Sequence, residues 1–177
     1  INQIQALLKE ALSSVVFIPF AAGTMSWFEH DLYEKNLPAD QFNHHWWELS
    51  RKYQGIEPPT GRKEDFCDAA SKTHITDDAA QYYDYALSYV LLYQLHDTIA
   101  NKILKQDPRN TNYWGKREVG KFLKQLMQPG STGNWRQLIR KTTGNQLSAQ
   151  AMLAYYAPLM DYLKKENRGR NHTLPDL

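Results

Sequence analysis

The residues most capable of chemistry are four hydrogen-bond donors in the middle of the chain. Lys72 and His74 lie two positions apart in a polar segment, and Tyr82 and Tyr85 follow at the start of a helical pattern. Tyrosines three residues apart on a helix share one face, and a helix N-terminus adds a partial positive charge. Together the four donors suit an anion, either a carboxylate or the oxyanion of an acyl-transfer intermediate. The residue types alone favour the plainer alternative, in which the loop residues are solvated and the tyrosines are core residues.

Histidines elsewhere in the chain do not complete a metal site. A zinc site on a helix needs two histidines four residues apart with a glutamate between them. His96 begins such a pattern, but Ala100 stands at the second ligand position. His44 and His45 are adjacent and point about 100° apart on a helix, so they cannot bind one ion together. The sequence predicts no metal ligands in this chain and a hydrogen-bonded structural role for His96.

Composition limits the class of partner. The 177 residues include 21 Lys and Arg and 19 Asp and Glu, a net charge of +2 that predicts no nucleic-acid partner. The longest stretch without a polar side chain, Val15–Gly23, is far shorter than the ~20 residues that span a bilayer, so we expect no membrane partner. The single cysteine, Cys67, excludes an internal disulfide framework.

The length and the hydrophobic content fit one ordinary globular domain. Aromatic residues make up 12% of the chain, with 11 Tyr and 5 Trp. Tyr and Trp need polar partners when they are buried, so a small domain this rich in them often lines a binding surface.

Helical periodicity positions these residues. Apolar side chains recur at the i, i+3, i+4 spacing of a helix with one buried face, and no stretch alternates with the period of a strand. We therefore predict an all-α fold. The predicted helices cover Ile4–Val16, Phe20–Tyr33, Gln41–Tyr53, Ala79–Lys105, Lys116–Gln128, Trp135–Thr142 and Ser148–Asn167.

Breaks in this pattern mark the ends of the helices. Pro19 is predicted to interrupt the first two helices, and Ser148 to cap the last one. Residues Gly55–Asp78 read as a long loop, and loops of that length are usually functional or disordered. The polar tail Arg168–Leu177 is predicted to be loose.

An ordered set of motifs resembles the angiotensin-converting-enzyme family of zinc peptidyl-dipeptidases. The resemblance spans nearly all of residues 4–167 at near-family spacing. Its motifs are Phe17-Ile18-Pro19-Phe20, Trp46-Trp47-x-Leu49, Lys52-Tyr53-Gln54-Gly55-Ile56 with Pro58-Pro59, Lys72-x-His74, Tyr82-x-x-Tyr85, Gln94-x-His96, and a late segment running from Ser148-Ala149 through Ala151-Met152-Leu153-x-Tyr155 to Pro158-Leu159-x-Asp161.

The resemblance implies that the chain is the C-terminal segment of a larger helical zincin-type metallopeptidase. Residues 1–167 are then the C-terminal helical portion of the catalytic domain, followed by the loose tail 168–177. The HExxH zinc motif and the third ligand, a Glu, lie upstream of Ile1 in this interpretation. Zinc is therefore expected in the full-length parent, and the chain alone is expected to be inactive.

The resemblance also implies roles for six residues. Those matching Lys72 and Tyr82 hold the C-terminal carboxylate of the peptide substrate, and those matching His74 and Tyr85 hydrogen-bond the substrate backbone and stabilise the tetrahedral oxyanion beside zinc. Positions matching Phe17 and Tyr89 line the pocket for the final side chain, although the family usually has Phe at the latter.

The sequence departs from the family pattern in three places. One extra residue lies between His74 and Tyr82, so the tyrosine assignments depend on placing a gap. Asp84 and Ser50 stand where the family has chloride-site arginines, so no chloride is expected. The family's cysteine pair is missing, with Ala100 at its first position; oxidising compartments usually keep such bridges, whereas the resemblance implies an extracytoplasmic or periplasmic protein.

Two other interpretations remain open at this level. The chain could belong to a non-catalytic homologue that serves as a helical binding module, or to an unrelated helical domain that uses its aromatics in a partner interface. The peptidase interpretation predicts two further partners besides the peptide. These are the missing N-terminal part of the same domain and a second copy, which would associate through an exposed apolar face.

Overall fold

A computed structural model describes residues 2–171, and this range contains helices and connecting segments but no strand, which confirms the all-α prediction. The chain forms two compact units. One comprises the residues up to Tyr89 together with those from Leu163 onward, and the other comprises Val90–Tyr162. The α-helices are α1 (Gln3–Glu10), α2 (Ser26–Glu34), α3 (Phe42–Gln54), α4 (Thr73–Thr76), α5 (Tyr83–Asp97), α6 (Arg117–Met127), α7 (Trp135–Thr143) and α8 (Gln150–Glu166).

The first helical stretch runs from Gln3 to Glu34, so the prediction that Pro19 interrupts it is wrong. Pro19 occupies the first position of a π-helical segment, Pro19–Met25, and a second such segment, Ala11–Val15, precedes it. Proline lacks an N–H, and its ring crowds the carbonyl four residues earlier, which disfavours it inside a regular α-helix. The wider π turns re-space the hydrogen bonds around it.

The same stretch is long and apolar enough to cross a membrane by length and composition alone, a test that core helices of soluble proteins also pass. Its second half has a packing role, because Ala21, Met25 and Phe28 are fully buried in the core of the first unit. Trp46 and Leu49 of α3 complete that side of the core.

Gly23 allows the first helical stretch to approach α3 closely. A Cβ atom at this position would lie 2.5 Å from Cγ of Tyr53, far inside van der Waals contact. The residue is buried, and the backbone of one helix therefore rests directly on an aromatic ring of the other.

The segment predicted as a long loop, Gly55–Asp78, is ordered by polar anchors to α3. The Glu64 carboxylate accepts hydrogen bonds from the backbone N–H groups of Asn43 and His44, at 2.8 and 2.7 Å, and so caps the N-terminus of α3. The segment also contains a 3₁₀ turn, Asp68–Ser71, and the short helix α4.

Helix α5 begins four residues later than the sequence pattern predicts. The predicted helix starts at Ala79, whereas α5 starts at Tyr83, because Ala80 has a left-handed backbone with a φ of 61°. The helix continues as a π-helical segment, Thr98–Leu104, and ends where Lys105 turns left-handed, which agrees with the predicted end.

The second unit is organised around Gln94, which is 5% exposed. Its Nε2 donates to the Thr143 hydroxyl at 2.9 Å and to the carbonyl of Gln146 at 3.0 Å. Its Oε1 accepts from the N–H of Ser148 at 3.0 Å. Ser148 in turn accepts from the Gln150 N–H at 3.2 Å, as its predicted capping role requires. Of the predicted loose tail Arg168–Leu177, the part from residue 172 on lies outside the described residues.

Candidate functional site

The four donors predicted from the sequence lie together in the first unit. The ring centroids of His74 and Tyr82 are 4.6 Å apart, and those of Tyr82 and Tyr85 are 4.9 Å apart. His74 and Tyr85 are also in ring contact, at 6.2 Å. The ammonium nitrogen of Lys72 lies 4.7 Å from the centroid of the Tyr82 ring. The extra residue before Tyr82 therefore does not separate the tyrosines from the histidine.

Phe17 connects Tyr89, the remaining predicted site residue, to this group. Its ring centroid lies 5.7 Å from that of Tyr82, 6.0 Å from that of Tyr85 and 6.3 Å from that of Tyr89. All six predicted site residues thus belong to one connected cluster of rings and one cation. We call these residues, Phe17, Lys72, His74, Tyr82, Tyr85 and Tyr89, the donor cluster.

Short local structures hold the cation and the imidazole in place. The N–H of Lys72 donates to the carbonyl of Ala69 at 3.0 Å and closes the 3₁₀ turn, and Ala69 is buried in the core. The Lys72 carbonyl then accepts from Ile75 at 2.9 Å, at the start of α4. His74 lies inside α4, so both side chains leave a backbone that is anchored on each side.

The polar groups of the donor cluster have few acceptors within the protein. Tyr82 is 5% exposed and Tyr85 is 48% exposed, and neither hydroxyl group forms a hydrogen bond within residues 2–171. His74 has one polar contact, from Nδ1 to the Thr73 hydroxyl at 3.5 Å. In the described part of the chain, Lys72 contacts aromatic rings and pairs with no carboxylate. Donors in this state can bind an anionic ligand.

Phe20 belongs beside this cluster, although the sequence analysis did not select it as a site residue. Its ring centroid lies 5.6 Å from that of Tyr82, and the Lys72 ammonium lies 5.3 Å from its centroid. Lys72 therefore lies against two aromatic rings, which attract a cation. The signal was available in the sequence, since Phe20 follows Phe17 by three residues and so shares its helical face.

Asp84 and Ser50, the two positions at which the family resemblance leads us to expect no chloride site, differ in environment. Asp84 lies exposed in the first turn of α5, beside Tyr85 in the sequence. Ser50 is 2% exposed, and its hydroxyl donates to the Trp46 carbonyl at 2.8 Å. An exposed carboxylate repels an anion, and a hydroxyl group whose hydrogen is already bonded has none left to donate to one.

The described histidines outside the donor cluster have partners of their own. Nε2 of His96 donates to the Pro108 carbonyl at 2.7 Å, and Nδ1 accepts from the Tyr113 hydroxyl, so its predicted structural role agrees with its bonding. His45 Nε2 lies 2.8 Å from an Asp31 carboxylate oxygen, whereas His44 faces Glu48 at 3.4 Å. Among the residues that the structure describes, no group of three or more His, Cys, Asp or Glu side chains could hold a metal ion.

Comparison with known proteins shows the family of the chain. The sequence model of the family described as angiotensin-converting enzyme, a peptidase family, matches residues 1–174. The chain belongs to the angiotensin-converting enzyme family. Members of this family are zinc metallopeptidases with peptidyl-dipeptidase activity.

Three relatives show how much of the family's length this chain covers. It is 31% identical to the angiotensin-converting enzyme of Mus musculus, over 98% of this chain and 13% of the relative. It is 32% identical to that of Theromyzon tessulatum, over 90% of this chain and 26% of the relative. An angiotensin-converting enzyme-related protein of Drosophila melanogaster is 28% identical over 94% of this chain and 27% of the relative. The chain thus spans between 13% and 27% of these relatives.

Proposed function

We propose that the chain is the C-terminal segment of a zinc-dependent peptidyl-dipeptidase and supplies one wall of its substrate cleft. The observation that carries the proposal is the donor cluster, in which a lysine, a histidine and two tyrosines meet with few acceptors of their own. The family membership supplies the reaction, which releases dipeptides from the C-termini of peptides. The described residues do not fit a zinc site, so the metal ligands belong to the rest of the parent protein in this proposal.

Lys72 and Tyr82 form the carboxylate clamp. A dipeptide-releasing enzyme must recognise a free C-terminal carboxylate at a fixed distance from the scissile bond. The Lys72 ammonium supplies the charge, and the Tyr82 hydroxyl supplies a directed donor beside it. Because Lys72 is half-buried against rings and pairs with no described carboxylate, its charge is available to the substrate.

His74 and Tyr85 act at the scissile bond. Their rings are 6.2 Å apart, and Tyr85 is half exposed, so its hydroxyl can reach a bound peptide. Each donates a hydrogen bond, His74 to the substrate backbone and Tyr85 to the oxygen that gains negative charge as the carbonyl is attacked. Phe17 and Tyr89 then line the apolar pocket for the last side chain of the substrate.

The rest of the catalytic domain is the proposed partner of the exposed apolar surface. Leu12 and Val16 are 64% and 54% exposed, and they lie one helical turn apart on the first helical stretch. Isolated apolar residues on a surface are ordinary, but two on one face of a helix suit burial by a neighbouring segment. Self-association of the separated chain through this face follows from the same argument.

Activity of the parent is proposed to be insensitive to chloride. The side chains at the two arginine positions are a saturated buried hydroxyl and an exposed carboxylate, Ser50 and Asp84. A several-fold increase of the peptidase rate on adding chloride, at constant ionic strength, would contradict this part of the proposal.

Lys72→Ala in the full-length protein tests the clamp. Loss of a hydrogen bond to a charged group costs about 1.5–3 kcal/mol, so KM for a peptide with a free C-terminus should rise about tenfold or more. The KM for the same peptide amidated at its C-terminus should change little. Lys52→Ala is the matched control, because the Lys52 ammonium also lies over a tyrosine ring, that of Tyr53, at 5.0 Å but outside the cluster. Equal effects of Lys72→Ala on both peptides would overturn the assignment.

The non-catalytic alternative keeps the fold and the cluster but not the reaction. Asp84 favours it, because a carboxylate next to Tyr85 opposes the binding of an anionic group. The sequence upstream of Ile1 in the parent decides between the two. An intact HExxH motif supports the peptidase, and a broken motif supports the binding module.

A further inference from the structure

Glu29 is a buried carboxylate with a long-range backbone partner. It lies on α2 and is 4% exposed. Its Oε1 accepts a hydrogen bond from the backbone N–H of Ala80 at 2.6 Å, across 51 positions of sequence. Burial of a carboxylate is unfavourable unless hydrogen bonds compensate for the lost water, so this contact ties the two segments together.

Ala80 has an unfavourable backbone conformation just before the tyrosines. Its φ is 61°, in the left-handed region that residues with a Cβ atom rarely adopt. Such a conformation persists only where the surrounding structure enforces it. The next bonds of the chain, from Asp84 N–H to the Gln81 carbonyl at 3.0 Å and from Tyr85 N–H to the Tyr82 carbonyl at 3.2 Å, already form the first turn of α5.

The segment held in this way is the one that carries an extra residue relative to the family pattern. An additional residue between His74 and Tyr82 would move both tyrosines along the chain unless the backbone absorbed it. The left-handed turn at Ala80 lies in the connection between α4 and α5, and the ring contacts from His74 to Tyr82 and Tyr85 are present with it.

We propose that Glu29 is a positioning residue for the donor cluster. Its bond to Ala80 fixes the left-handed turn, and the turn sets where Tyr82 and Tyr85 begin. The proposal rests on the proposed function, because it assigns Glu29 a role in placing the clamp and the oxyanion donor.

Three substitutions of Glu29 in the full-length protein separate positioning from simple loss of charge. Glu29→Ala removes the acceptor, and Glu29→Asp keeps the charge but shortens the side chain by one methylene. Glu29→Gln keeps both the length and an acceptor oxygen. Glu34→Ala is the matched control, because Glu34 lies on the same helix but its side chain is 74% exposed and lies 3.3 Å from His30.

The measurement is kcat/KM for a peptide with a free C-terminus and for the same peptide amidated, together with amide hydrogen exchange at Ala80. A displacement of a binding group by about 1 Å can cost about 100-fold in rate, so we expect Ala and Asp variants to lose tenfold to a hundredfold with the free peptide. In the same variants, the loss of kcat/KM with the amidated peptide should be smaller, and amide hydrogen exchange at Ala80 should accelerate. Glu29→Gln should keep both kcat/KM and the exchange rate near their wild-type values. Glu34→Ala should leave both readouts unchanged.

The outcomes distinguish this inference from the proposed function. The deciding quantity is the ratio of kcat/KM for the free peptide to kcat/KM for the amidated peptide. If this ratio is unchanged in both Glu29→Ala and Glu29→Asp while Lys72→Ala lowers it, the positioning role alone is overturned. An unchanged ratio in Lys72→Ala would instead remove the proposed clamp. Where Glu29→Ala does not fold, the comparison of Glu29→Asp with Glu29→Gln still decides, since a merely structural role predicts lower thermal stability without a change in that ratio.

Discussion

Two histidines of the described residues, His74 and His96, contact tyrosine rings, and they differ in how completely their hydrogen bonds are satisfied. In the second unit, His96 donates from Nε2 to the Pro108 carbonyl and accepts at Nδ1 from the Tyr113 hydroxyl. In the first unit, His74 packs its ring on Tyr82 and Tyr85 but finds only a 3.5 Å contact to Thr73.

The same residue types therefore serve different purposes. A histidine with both ring nitrogens bonded fixes one tautomer and joins two segments, which is a structural role. A half-buried histidine surrounded by phenols without acceptors retains its hydrogen-bonding capacity for a ligand. Residue type and spacing do not separate these cases, whereas the bonding of each nitrogen does.

The largest effect expected from this contrast is on catalysis. Tyr85→Phe in the full-length protein should lower kcat about 100-fold, because removing one donor to a developing oxyanion costs 10²–10³ in rate. Tyr113→Phe removes a hydroxyl that is already bonded to His96 and should change kcat less than twofold. Steady-state kinetics on one peptide measure both.

A Tyr85→Phe variant with unchanged kcat would place the oxyanion donor elsewhere. If Tyr85→Phe and Tyr113→Phe lowered kcat equally, the distinction between a hydroxyl without an acceptor and one already bonded to a histidine would fail.

The next effect is on stability, and it should run in the opposite direction. His96→Ala leaves the Tyr113 hydroxyl and the Pro108 carbonyl without their partner and should reduce the free energy of unfolding by about 2 kcal/mol. His74→Ala loses ring contacts and the long 3.5 Å contact to Thr73, and should cost about 0.5–1 kcal/mol. Urea denaturation followed by circular dichroism compares the two variants directly, and a larger loss in His74→Ala would reverse the assignment of roles.

Part of the donor cluster could be predicted from local spacing in the sequence. Tyr82 and Tyr85 lie three residues apart at the start of a helix, so local geometry suffices to pair them, whereas Phe17 and Tyr89 follow from the family resemblance. The end of the long helix near Lys105 and the cap at Ser148 follow from equally local signals.

What could not be predicted depends on contacts between distant segments. The sequence pattern predicts a helix from Ala79. In the structure the N–H of Ala80 donates to the Glu29 carboxylate, and the helix begins only at Tyr83. Pro19 predicts a break in the helix, yet the helical stretch continues through it as a π-helical segment. The segment that reads as a loop gains its order from the Glu64 carboxylate at the N-terminus of α3, a contact that no window of neighbouring residues contains.

A smaller effect is expected from acid on a satisfied network next to the donor cluster. Asp68 lies on the turn that ends at Lys72, and the Arg62 guanidinium, with a further hydrogen bond from Trp47, holds the pKa of its carboxyl below the usual range. A lowered pKa in the folded state contributes stability that is present above the unfolded value, about 3.9, and is lost as pH falls below it.

Asp68→Asn should therefore flatten the loss of stability as pH falls below about 4, and should cost about 1 kcal/mol at pH 7 because the pair is partly exposed. Denaturation midpoints measured across that range check the slope. A slope that persists unchanged in the variant would assign the acid sensitivity to other carboxylates, such as Asp31 with its bonds from Lys35, His30 and His45.

The smallest effect concerns Tyr113 and alkaline pH. Burial raises the pKa of the Tyr113 phenol above its usual value of about 10. The unfolded chain then releases this proton at lower pH than the folded chain, so the stability contribution is complete below pH 10 and is lost as pH rises through the folded pKa. Ionisation also removes the proton that Tyr113 donates to His96. Tyr113→Phe should make stability less dependent on pH above 10, and denaturation midpoints measured across alkaline pH check this. A slope that stays unchanged in Tyr113→Phe would show that this phenol is not coupled to folding.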